Sequence, residues 1–244
     1  MTDSLQRVRE QLAQASLATG RGESATLLAV SKSQSAAAIR QLAAAGQVAF
    51  GENYVQEAAA KRSELADLGL QWHLIGHLQS NKCRLAADVF DWVQSVDRIS
   101  LVEGLAKARA QERGPLNVLI QVDIDAEAGK SGCVPDEVAA LADAIAAASA
   151  LCLRGLMAIP APHADLDLRA QAFRRMRALF DALRRSHPSV DTLSMGMSED
   201  FELAVTEGAT MVRVGSALFG PRVPVTAAGG YSALPSSAKA DARV

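Results

Sequence analysis

Leu27-Leu28-Ala29-Val30-Ser31-Lys32 is the stretch that decides the architecture. Leu27 to Ser31 reads as a short buried strand, and a lysine stands where the strand meets its loop. A lysine ammonium is costly to bury without a partner. One at the end of a core strand therefore either snorkels out to water or is held for chemistry. An amine kept in a dry pocket has a lowered pKa, and the neutral amine attacks a carbonyl to form a Schiff base. A doubly wound open sheet would place a glycine-rich phosphate loop after its first strand. Here a lysine stands in its place, which turns the reading towards a barrel.

The chain on either side supports that choice. Before the strand, Leu5, Val8, Leu12 and Ala15 fall at helical spacing over 4–18, with Gly20 and Gly22 closing the helix. After it, strands and helices alternate. Strands are expected at 48–50, 71–75, 90–93, 116–122, 151–157, 192–195 and 210–214. Each is followed by a helix or helical turn, with Asp97 and Ser198 as N-caps and Pro135 at a helix start. The strands are continuous apolar runs, as in a parallel sheet buried on both faces. With the first strand this makes eight units and one extra N-terminal helix, the count of an α/β protein of the (β/α)8 TIM-barrel class. Residues 1–224 are expected to form this one domain. Residues 225–244, rich in Ala, Gly, Ser and Pro without periodicity, read as a flexible tail.

Composition narrows the function classes. Of 244 residues, 49% are hydrophobic and 21% charged, which suits a large core and excludes global disorder. A net charge of −2 gives no electrostatic case for nucleic acid or an anionic membrane. The N-terminus lacks an apolar signal region, and no run approaches the roughly 18 apolar residues of a membrane helix. Cys83, Cys133 and Cys152 lack zinc spacing and read as structural thiols of a reducing compartment. The expectation is a cytoplasmic protein. No exposed apolar seam is visible, which points to a monomer.

In a (β/α)8 barrel the site lies at the carboxyl ends of the strands. Read in order, these positions are Lys32; Glu52 and Asn53; His77; Ser95; Asp123; Pro160; Ser194, Gly196 and Ser198; and Arg213, Gly215 and Ser216. The loops after strands 7 and 8 of such barrels often bind phosphate. Two readings of them stay open. Ser198, Gly215 and Ser216 cradle an anion with N–H and hydroxyl donors, or Ser198 caps a helix and Gly215 turns the chain. Glu199 and Asp200 add nearby negative charge, which disfavours an anion. A buried lysine, a phosphate cradle and an arginine together suggest pyridoxal 5′-phosphate (PLP). Arginine at the pyridine nitrogen keeps it unprotonated and weakens the ring as an electron sink.

Other motifs carry less. Ala128-Gly-Lys-Ser-Gly132 resembles part of a P-loop, but Ile124 occupies the place of the required upstream glycine. Asp123, Asp125 and Glu127 read as a solvated acidic loop rather than a Mg²⁺ site. His73 and His77 lack a third ligand at a recognisable spacing, so no metal is expected. His73 reads as a hydrogen-bonded core or mouth residue, and Trp72 and Trp92 as packing.

Ala29-Val-Ser-Lys32, Gly51-Glu-Asn-Tyr-Val-Gln-Glu57, Trp72-His-Leu-Ile-Gly-His-Leu-Gln-Ser-Asn-Lys82, Gly129-Lys-Ser-Gly132, Gly155-Leu-Met-Ala-Ile-Pro160, Leu193-Ser-Met-Gly-Met-Ser198 and Val212-Arg-Val-Gly-Ser-Ala-Leu-Phe-Gly220 together resemble the pyridoxal phosphate homeostasis protein family. The resemblance runs from about residue 26 to 220. It implies a barrel similar to the N-terminal domain of alanine racemase, with PLP on Lys32 and Arg213 near the pyridine nitrogen. Ser198, Gly215 and Ser216 would surround the phosphate, with Asn53 and Met197 completing the cofactor-binding set. It implies a carrier or regulator of PLP and of amino-acid and keto-acid balance, with apo PLP enzymes as partners and no reaction of its own. Ser33-Gln-Ser-Ala departs from the family, which often has a proline there. The alternative is a small racemase, which needs an acid/base group on each face of its substrate. Lys32 could serve one face. Tyr54 and Tyr231 are the only tyrosines, and the chain after 220 is too short to build a second domain.

Overall fold

The structure is a computed structural model and describes residues 1–20, 24–127, 129 and 131–220. Gly22, Lys130 and the stretch 225–244 lie outside the described residues. Helix α1 (Thr2–Ala18) leads in. The alternation then runs β1 (Thr26–Val30), α2 (Ala36–Ala44), β2 (Ala49–Glu52), α3 (Val55–Glu64), β3 (Gln71–Leu74), α4 (Cys83–Val89), β4 (Trp92–Val96) and α5 (Ile99–Ala108). It continues through β5 (Leu116–Val122), α6 (Val138–Ala147), β6 (Leu151–Ala158), α7 (Leu166–Ser186), β7 (Thr192–Ser194), α8 (Phe201–Thr206), β8 (Met211–Val214) and α9 (Ser216–Phe219). The eight strands close into a parallel barrel in sequence order. β1 is the seam: Ala29 pairs with Phe50 of β2 on one side, and Leu28 pairs with Arg213 of β8 on the other.

Side chains alternate in and out along each strand, and β5 shows what that does. Leu116, Val118, Ile120 and Val122 join the large core between sheet and helices. Leu119 belongs to a separate small cluster with Trp92 and Met157 inside the barrel, as do Leu28, Ala49 and Met211 in another. Asn117 lies below Leu119 and Gln121 above it, so one strand contributes to bottom, middle and top of the barrel filling. Burial of the outer row is near complete, and it carries most of the apolar stabilisation. Helix α1 buries Leu5, Val8 and Leu12 and packs on α8 and α9.

Three local expectations are corrected. The fourth strand is Trp92–Val96, two residues later than its apolar start suggests. Phe90 packs below it, and the Asp91 carboxylate accepts from the Trp72 N–H at 2.9 Å. Asp97 does not cap α5. Arg98 holds the N-cap position, and the Asp97 carboxylate accepts from the Arg98 guanidinium at 2.6 Å. Ser198 does not cap α8 either. Asp200 is its N-cap residue, and the Asp200 carboxylate accepts from the Met197 N–H at 2.7 Å.

Between β5 and β6 the register slips by one: Val118 pairs with Leu153, and Leu119 with Gly155. Arg154 is the extra residue of this bulge. Its guanidinium lies 4.7 Å from the Trp92 ring centroid, donates to Asn117 Oδ1 at 3.0 Å and pairs with Asp191.

Candidate functional site

The barrel opens at the carboxyl ends of its strands into a cavity of about 660 Å³. Lys32, Asn53, Met197, Ser198, Arg213, Gly215 and Ser216 all line it, as do His77, Asp123 and Pro160. Glu52, Ser95 and Ser194 do not. Glu52 is turned outward by the two-residue period of β2 and is buried against α3. Ser95 is buried with its hydroxyl unpartnered, and Ser194 lies in the barrel interior.

Arg213 rises from β8 and is 3% exposed. Its Nη1 donates to Ser194 Oγ and its Nη2 to the Ala158 carbonyl, both at 2.8 Å. Burial pulls its pKa down to about 10, with Asp200 pulling the other way, so it remains a cation at neutral pH. Neutral oxygens hold the guanidinium in place, and it lines the cavity with Asp200 nearby.

A donor chain continues below it. Ser194 Oγ donates to Gln94 Oε1 at 2.7 Å, and Gln94 Nε2 donates to His73 Nδ1 at 2.9 Å. His73 Nε2 then donates to Gln71 Oε1 at 3.0 Å, with the ring stacked 5.1 Å from Trp92. Every link runs the same way, from the guanidinium down to the amino end of β3. Ser194→Ala removes one donor and one acceptor from this dry interior, and about 1–3 kcal/mol of stability should go with them. Urea denaturation measures it, and a loss under about 0.5 kcal/mol would mean that the chain is not holding the interior together.

The turns after β7 and β8 are tied to each other. The Gly215 N–H donates to Ser198 Oγ at 3.2 Å, leaving the Ser198 hydroxyl hydrogen to point elsewhere. A Cβ on Gly215 would come 3.3 Å from the Val30 carbonyl oxygen, so the turn lies tight against β1. Ser216 and Ala217 open α9, and the first N–H groups of a helix have no acceptor within it. These donors and the Lys32 ammonium make the mouth suited to an anion. The charge of Asp200 is offset by the Met197 N–H and by Arg169 of α7, whose Nη1 lies 4.0 Å from it. Asp125 joins the acidic loop to the barrel rim, accepting from Arg175 Nη2 at 2.5 Å and from the Ala161 N–H at 2.7 Å. Among the described residues no group of three His, Cys, Asp or Glu side chains is placed to hold a metal ion. No described helix is long and apolar enough to cross a membrane.

Sequence reading missed Gln94, Gln121, Arg169 and Lys61. A fourth strand read as 90–93 leaves Gln94 in a loop. Arg169 is one of several arginines on α7, and only the barrel shows that it faces the mouth.

Residues 4–223 match the family described as alanine racemase, N-terminal domain. A pyridoxal phosphate homeostasis protein of Pseudomonas aeruginosa is 49% identical over 223 residues, covering 91% of this chain and 96% of that protein. The structure of PipY from Synechococcus elongatus without PLP superposes with a TM-score of 0.81 at 40% identity, covering 90% of this chain and 99% of that one. The structure of PipY with PLP bound gives a TM-score of 0.73, covering 87% of this chain and 100% of that one. Shared sequence and shared fold run along nearly the whole length of both partners in each comparison, and the chain belongs to the pyridoxal phosphate homeostasis protein family.

Proposed function

We propose that the protein binds PLP in the barrel mouth, holds it as a Schiff base on Lys32, and takes part in PLP homeostasis as a carrier and regulator. The observation that carries this reading is the convergence of Lys32, Arg213 and the Ser198–Gly215–Ser216 turns on one cavity. The residues fit the group. Small turns and the N–H donors that open α9 suit a phosphate, and an amine beside them suits an aldehyde. A buried cation fixed by Ser194 and Ala158 suits a pyridine nitrogen left unprotonated. Asn53 and Met197 flank the same space. PLP, when bound, supplies an aldehyde and an electron-withdrawing ring. A relative of this chain, PipY, is known with PLP bound.

A carrier is favoured over a racemase by the position of the tyrosine. Racemisation requires an acid/base group on each face of the substrate. Among the described residues the one tyrosine, Tyr54, is 65% exposed and does not line the cavity. Tyr231 lies outside the described residues. We read the protein as a cytoplasmic monomer that exchanges PLP with apo forms of PLP enzymes and so influences amino-acid and keto-acid balance.

Borohydride reduction of the loaded protein, followed by peptide mass spectrometry, tests the attachment. The pyridoxyl label is expected on Lys32, and Lys32→Ala should keep the fold and lose the label. A label on a different lysine would overturn the reading.

A further inference from the structure

Beneath the Lys32 loop lies a charged cluster that takes no direct part in the cavity. Lys61 of α3 is 7% exposed. Its ammonium donates to the Ser31 carbonyl at 2.7 Å, to Glu52 Oε1 at 2.8 Å and to Glu57 Oε1 at 2.7 Å. An ammonium has three protons, and all three are used. Glu57 Oε1 also accepts from the Ser33 N–H at 2.7 Å. Glu52 Oε1 also accepts from the Ser31 hydroxyl at 2.5 Å.

The two backbone bonds bracket one residue. The Ser31 carbonyl belongs to the peptide group before Lys32, and the Ser33 N–H to the peptide group after it. Ser33 has φ 62, a left-handed conformation that a non-glycine residue adopts at a cost. Two bonds hold it there: the Gln34 N–H donates to the Ser31 carbonyl at 3.0 Å across the turn, and the Ser33 N–H donates to Glu57. Burying the Lys61–Glu52 pair for a purely packing role is also a poor exchange, because apolar side chains of similar volume stabilise such a site at least as well. Glu52 makes the cost plain: it is fully buried, desolvation raises its pKa against the pull of Lys61 and Ser31, and its Oε2 has no partner.

We propose that Lys61 and Glu57 are positioning residues for Lys32, fixing the peptide groups on both its sides and so the direction from which its amine approaches an aldehyde. This rests on the proposed attachment of PLP to Lys32. In that step the amine nitrogen adds to the aldehyde carbon, a C=N bond forms, and the carbonyl oxygen leaves as water with the two amine protons. No oxidant or reductant is needed. The clamp contributes geometry to the step and touches neither reactant.

Glu57→Ala is the informative variant, because it releases the Ser33 N–H while the buried Lys61–Glu52 pair stays intact. Two rates or affinities are read on the folded apoprotein. One is the formation of the Schiff base from added PLP by stopped-flow absorbance. The other is the affinity for pyridoxine 5′-phosphate, which has an alcohol in place of the aldehyde. Covalent capture is expected to slow about 10-fold, since small misplacements of reacting groups cost up to about 100-fold. Affinity for the alcohol should stay within about twofold, and Glu57→Gln, which keeps the acceptor oxygen, should restore the wild-type rate. Where the alanine variant does not fold, Glu57→Asp draws the carboxylate back by one methylene and gives the same reading. Capture at an unchanged rate in either variant, or a fall in alcohol affinity that matches the fall in rate, overturns the clamp. If wild-type protein itself carries no label on Lys32, the attachment fails instead, which the borohydride experiment reports separately.

Discussion

Lowering the pH from 7 to 4 is expected to remove about 3 kcal/mol of folding stability through His73 alone. The ring is fully buried, and desolvation drives its pKa from 6.5 down to about 3. In the unfolded chain it takes up a proton below about 6.5; in the barrel it does not. The unfolded state therefore binds more protons throughout that interval. The stabilisation is complete above about 6.5 and is lost progressively as the pH falls towards about 3, at about 1.4 kcal/mol per unit. Its neighbours reinforce this. Nδ1 must stay bare to accept from Gln94, and a protonated ring would set two donors against each other. Carboxylates elsewhere also titrate, so the measurement is comparative. Urea unfolding of wild type and His73→Gln at a series of pH values should give curves that converge towards low pH, and parallel curves would remove His73 from the account.

Gly155→Ala should cost about 4 kcal/mol, the sum of a strained backbone and an overpacked contact at about 1–3 kcal/mol each. Gly155 has φ 144, a conformation L-residues rarely adopt. A Cβ there would meet the Thr192 carbonyl oxygen at 1.9 Å, and Thr192 is the residue it pairs with across the β6–β7 seam. Neither partner can yield, because β6 already bulges at Arg154 to meet β5. For a protein of this size the melting temperature should fall by roughly 10 °C. A loss under about 1 kcal/mol would show that the seam can open without consequence.

Much of this was legible in the sequence. The apolar run Leu116–Val122 is the fifth strand with the boundaries its composition sets, because a strand buried on both faces announces itself as continuous hydrophobicity. The strand-end positions follow once the barrel is assumed, and Lys32, Asn53, Met197, Ser198, Arg213, Gly215 and Ser216 do share one cavity. What failed to show was anything set by long-range partners. Ser198 has the composition of a helix cap, yet its oxygen is taken by Gly215, seventeen residues on in the chain and one strand away in space. Lys61 and Glu57 look like an ordinary helical i,i+4 pair. Only the closure of α3 over β1 and β2 buries Lys61 and turns both towards the peptide groups of Ser31 and Ser33. The reason for Gly155 is equally silent in one dimension, because it depends on which strand lies next door.

The run of donors from Arg213 to Gln71 has one more consequence. A proton can hop along water, imidazole or carboxyl groups, but an amide nitrogen does not hand one on at neutral pH. Gln94 stands in the middle of the run and meets it with an amide on both sides. His73 is held neutral on the far side of that amide. This run therefore orients its side chains and does not relay a proton from Arg213 to His73. Lys32 stands outside this run, on the lining of the cavity that it shares with Arg213.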